Sequence, residues 1–120
     1  MNTRLKYAQK QKNLAYFQNL YTLAFADDRL ASEELHFLLQ IAHQLNISPK
    51  EISKIMSHGK HQKLQIPSAA AERQNQLEGL VSLMMIDQEI HKKEYDLCLR
   101  FAEMLGFDKE ILDSAITQMS

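Results

Sequence analysis

The chain has no tryptophan, one cysteine, three glycines and two prolines in 120 residues, and each shortage removes a class of structure. Cys98 alone cannot form an internal disulfide, so the fold must rest on its core. So few glycines and prolines leave too little punctuation for a turn-rich β-fold, and long uninterrupted helices are expected. No stretch approaches the roughly 18 apolar residues that a membrane span requires. The richest, Leu80 to Ile86, is short and ends in Asp87. The N-terminus lacks the combination of basic start, apolar run and small-residue cleavage site that marks an export signal. The expectation is a cytosolic protein that does not itself insert into a membrane. No glycine-rich phosphate loop and no Ser/His/Asp arrangement is visible.

What is present fits a single all-α domain. Apolar residues make up 45% of the chain, and at this length about 65% of the unfolded surface can be buried in one core. Net charge is −1, but it is unevenly spread. Residues 1 to 70 hold nine Lys/Arg against five Asp/Glu, and residues 71 to 120 hold five against ten. Arg4, Lys6, Lys10 and Lys12 make residues 1 to 13 a basic, polar N-terminal arm. Lys50, Lys54, Lys60 and Lys63, with His58 and His61, form a second basic stretch. Such runs are ordinarily solvated faces; the alternative is an acidic partner or, less expected, nucleic acid.

Apolar spacings of three and four predict six helices. The first carries Leu14, Phe17, Leu20, Leu23 and Ala24, and the second Leu35, Leu38, Leu39, Ala42 and Leu45 behind Ala31 or Ser32 as N-cap. Asn46 should end the second in a left-handed turn, and Ser48-Pro49 with Glu51 reads as a capping box opening the third. A polar linker over about 59 to 68 follows, then a helix capped by Ser68 and running to Asp87, another from about Lys92 to Leu105 that Gly106 ends, and a last one capped by Asp108.

The two halves, about 14 to 58 and about 69 to 120, repeat one pattern at a constant offset of 60 residues. Asp27, Leu30, Glu34, Leu39, Ala42 and Leu45 are answered by Asp87, Ile90, Glu94, Leu99, Ala102 and Leu105. Helical spacing puts Glu34 in line with Leu38, Ile41 and Leu45, and Glu94 in line with Cys98, Phe101 and Leu105. The four acids Asp27, Glu34, Asp87 and Glu94 therefore fall on core-directed faces. A buried carboxylate without a partner costs several kcal/mol, so each must meet helix N–H groups, a Lys or Arg, a water, a shared proton or a metal ion. Capping of the following helix is the simplest reading, a hard divalent cation the functional one, and partner recognition a third. An EF-hand does not fit, because Leu23 and Phe25 stand where its first ligands would be, and Asp28 where its glycine would be.

The segment Ala24-Phe25-Ala26-Asp27-Asp28-Arg29-Leu30-Ala31-Ser32-Glu33-Glu34, with Leu45-Asn46-Ile47-Ser48-Pro49 beyond it, resembles the TerB-like family of tellurite-resistance and co-chaperone-associated domains. Met85 to Glu94, with Leu105-Gly106-Phe107, resembles the family's second motif, and together the matches span about residues 14 to 116. The family's glycine is missing from both copies. The resemblance implies a small, duplicated all-helical domain without enzymatic activity. Its acids, here Asp27, Glu34, Asp87 and Glu94, are linked in the family to metal binding and to membrane-associated stress machinery. A protein partner is then expected, one attached to a membrane included, and self-association is compatible with it. No cofactor is required, and Ca²⁺ or Mg²⁺ binding is expected to be weak at most.

Other signals are slighter. Glu33 and His36 have the Glu-x-x-His spacing of di-iron bundles, but the second half offers only Lys93 and Asp96. His58 and His61 lack neighbouring ligands for zinc, and Cys98 reads as a small core residue. His91 sits at the presumed cap of the fifth helix.

Overall fold

The computed structural model describes residues 3–25, 32–58, 63–85 and 90–119. It contains α1 (Thr3–Ala24), α2 (Ser32–Gln44), α3 (Pro49–Ser57), α4 (Ala70–Met84), α5 (Lys92–Met104) and α6 (Lys109–Met119), and no strand among the described residues. The all-α class expected from the composition is thus the class observed.

Local chemistry explains most helix ends. At α3, Ser48 Oγ accepts from the Glu51 N–H at 3.2 Å and Glu51 Oε1 accepts from the Ser48 N–H at 2.9 Å, with Pro49 in the first turn, the expected capping box. Asp108 Oδ1 accepts from the Ile111 N–H at 2.9 Å and caps α6. One expected cap is displaced. Ala69, not Ser68, is the N-cap of α4, and Arg73 Nη1 reaches back to the carbonyls of Pro67 and Ser68. Of the two caps expected for α2, Ser32 is the helix's first residue, and Ala31 lies outside the described residues.

The ends of α2 and α5 are built alike. Asn46 at φ 57° donates to the His43 carbonyl and Ile47 to that of Ala42. Sixty residues on, Gly106 at φ 94° donates to Glu103 and Phe107 to Ala102. These bonds satisfy carbonyls that a helix end would leave open, and the left-handed turn residue makes them possible. A Cβ added at Gly106 meets nothing within 4 Å, so its constraint is the backbone angle and not space. Gly106→Ala should therefore cost about 1–2 kcal/mol, and Gly106→Asn less, as Asn46 already holds the matching position. Chemical denaturation of the two variants checks the order.

Helix α1 runs from Thr3 straight through the segment read as a polar arm. Gln, Lys and Arg are good helix formers, and three contacts anchor the first half. Lys10 Nζ donates to the Asn46 carbonyl at 2.6 Å and pairs with Glu51 Oε1 at 2.9 Å, and Asn13 Nδ2 donates to the Leu45 carbonyl at 3.3 Å. The hydrogen bond from Lys10, followed by the Ser48 N–H, holds the Glu51 carboxyl below its ordinary range. A carboxyl depressed on folding stabilises the fold above its unfolded value, and that stability is lost as pH falls through the folded one. Melting of the wild type and of Glu51→Gln should thus differ most at neutral pH and converge in acid below about pH 4.

The core lies where α1 and α5 meet, with α2 against both and α4 and α6 closing the other side. Phe17, Leu20, Phe37, Leu38, Ile41, Leu77, Leu80, Leu97, Phe101, Leu105 and Leu112 are fully buried, and the Tyr16 and Phe101 rings pack at 5.2 Å. Cys98 is in this core, as read from the sequence. α6 packs closely on α4 and α5, whereas α3 touches its neighbours more sparsely. On α2 the core face is centred on Glu34, Phe37, Leu38, Ile41 and Ala42. Leu35 and Leu39, expected in the stripe, are turned to its flanks and left 36% and 44% exposed. Residues 63–67 cross α1 through Asn19, which is fully buried: its Oδ1 accepts from the Gln65 N–H and its Nδ2 donates to the Gln65 carbonyl, both at 2.9 Å.

Candidate functional site

Of the four repeated acids, Asp27 and Asp87 lie outside the described residues. Glu34 and Glu94 stand in the first turns of α2 and α5, and each is only 5% exposed. Both point inward, as their helical register requires. A helix N-terminus is favourable for a carboxylate, but Glu34 has a stronger partner. Arg100 of α5 places Nη2 3.3 Å from Glu34 Oε2 and donates through Nη1 to the Leu23 carbonyl at the end of α1. One guanidinium thereby joins α1, α2 and α5.

Sequence reasoning left a Lys or Arg open as a partner but did not find Arg100. The one available signal was the comparison of position 100 with position 40, where the first half has Gln. Glu94 lies against Cys98, whose thiol is pushed well up from its ordinary value, first by burial and then by the charge of Glu94. A buried thiol so shifted stays protonated and unreactive at neutral pH.

Between the starts of α2 and α5 lies an open cleft of about 300 Å³ lined by Ser32, Glu33, His36, His91 and Glu94. His91 is the N-cap of α5 but makes no side-chain cap hydrogen bond. Among the described residues no three His, Cys, Asp or Glu side chains converge in a metal-holding group. The guanidinium beside Glu34 also competes with any cation for the carboxylate.

The basic candidates are only partly brought together. Lys50 and Lys54 are exposed one turn apart on α3, Lys63 is exposed in the segment ahead of Gln65, and Lys60 is outside the described residues. His58 is exposed, with Nδ1 2.6 Å from the Lys54 carbonyl.

An apolar groove on α2 was not anticipated. A groove of about 470 Å³ runs along α2, lined by His36, Phe37, Leu39, Gln40, Ile41, His43, Gln44 and Leu83. Its wall includes Gln40, in the register position that Arg100 takes on α5. Leu39 stands exposed at its edge, where the sequence pattern placed it in the core. None of the described helices is long and apolar enough to cross a membrane. Comparison with protein-family models, with curated proteins and with solved structures finds no match for this chain.

Proposed function

We infer that the chain is a non-catalytic, TerB-like interaction module of the cytosol, linked to stress or tellurite response, that receives a protein partner on α2. The observation that supports this reading best is the open apolar groove beside the 44%-exposed Leu39. An apolar patch next to an open groove is a common mark of a contact surface. The all-helical architecture and the inward acids of α2 and α5 are compatible with the resemblance. In this reading Glu34 is structural, committed to Arg100, and metal responsiveness is confined to weak Ca²⁺ or Mg²⁺ binding at the remaining acids. A half-filled weak site adds only about 0.4 kcal/mol of stability.

A photo-crosslinking residue placed at position 39 in cells tests the reading, with exposed position 110 on α6 as control. A discrete adduct from 39 and none from 110 is expected. Identical adducts from both positions, or none from 39, would remove α2 as the partner surface.

A further inference from the structure

Helix α1 and helix α3 share a charge pattern that the α2 groove does not use. Between Thr3 and Asn13 stand Arg4, Lys6, Lys10 and Lys12 and no acid, and α3 adds Lys50 and Lys54 against the single acid Glu51. The structure joins the two elements through Lys10, which bonds the Asn46 carbonyl and Glu51 together. Glu51 is thereby neutralised by a lysine and no longer offsets the charge of α3. Lys6 lies one turn before Lys10 on the same side of α1, Lys50 and Lys54 lie one turn apart, and Lys6, Lys50 and Lys54 are exposed.

We propose that Lys6, Lys50 and Lys54 form one cationic face that binds an acidic polypeptide segment of a partner protein. The inference rests on the reading of the chain as an interaction module and adds the chemistry of the partner. The number of charges selects the partner. Nucleic-acid affinity grows with the number of phosphates neutralised, and three lysines neutralise few. An anionic bilayer gains about 1 kcal/mol per lysine, so three lysines hold it only at millimolar strength. A short run of Asp and Glu matches the three ammonium groups in number and sign. Lysine ammonium groups, as point charges on flexible stems, accept carboxylates without fixed geometry. Such a contact is individually weak and would steer and orient a partner docked elsewhere on the module.

The test is an NMR titration of the full chain with a polyglutamate peptide of about a dozen residues. Shift changes should be confined to α3 and the first half of α1. Affinity should fall several-fold between about 50 and about 200 mM salt, as charge-driven contacts do. The triple variant Lys6→Gln, Lys50→Gln, Lys54→Gln should melt like the wild type, since all three side chains are exposed, and should lose the shifts. Absent shifts, shifts elsewhere, or shifts that persist in the triple variant would overturn the proposal. So would tighter binding of an oligothymidylate of matched charge or of phosphatidylserine vesicles. If the peptide fails while position 39 still crosslinks a partner, this face falls and the module reading stands. If the peptide binds while position 39 yields no adduct, the face stands and the assignment of α2 falls.

Discussion

Phe101→Ala is expected to remove about 3–5 kcal/mol of stability, the usual cost of emptying a fully buried phenylalanine site. Phe101 is 0% exposed and packs at 5.2 Å against Tyr16, so the ring lies at the junction of α5 with α1. Tyr16 cannot fill the space readily, because its hydroxyl faces the Gln76 carbonyl and its ring is already buried. A domain of this size has about 5–15 kcal/mol in hand, so the variant should stay folded in the cold and melt far below the wild type. Phe101→Leu, which keeps most of the volume, should lose clearly less. Equilibrium denaturation of the three proteins measures the order; equal midpoints would mean that the α1–α5 junction is not the centre of the core.

The second large effect is expected at Arg100. Breaking a buried ion pair from one side costs about 3–5 kcal/mol, but the Arg100 side chain is 37% exposed against 7% for Glu34. Solvent reaches the guanidinium, so the expected loss for Arg100→Met is smaller, about 2 kcal/mol. Part of it comes from the Leu23 carbonyl, which loses its donor. Arg100→Lys should recover little, since one ammonium cannot reproduce the two-armed contact to Leu23 and Glu34. A wild-type melting temperature in Arg100→Met would show that Glu34 does not depend on this partner.

The parts of the fold that were legible in the sequence are those governed by local rules. The capping box at Ser48 and Glu51, the Asp108 cap and the left-handed turns at Asn46 and Gly106 each use a residue type suited to one backbone geometry. The inward direction of Glu34 and Glu94 was legible too, because it follows from helical register alone. What packs against those acids is a matter of tertiary distance, and nothing in the spacing of Arg100 marks it as the partner of a residue 66 positions away. Leu35 and Leu39 show the same limit from the other side. A stripe of spacing three and four is wider than the face a neighbour can cover, and which flank stays open depends on where the other helices lie. The start of α1 was obscured because composition suggests a solvated arm, whereas the contacts of Lys10 and Asn13 with the α2–α3 turn involve residues more than 30 positions on.

The acids of the helix starts could hold a cation or hold the helices, and a double-mutant cycle between Glu34 and Arg100 separates the two. The measurement is the stability of the wild type, Glu34→Gln, Arg100→Met and the double variant, with and without millimolar Ca²⁺ or Mg²⁺. If Glu34 is committed to Arg100, the double variant will lose less than the sum of the single losses by about 1 kcal/mol or more, and added cation will leave that difference unchanged. Additive losses would contradict the assignment of Glu34 to Arg100, and a difference that disappears when cation is supplied would place Glu34 at a metal site instead.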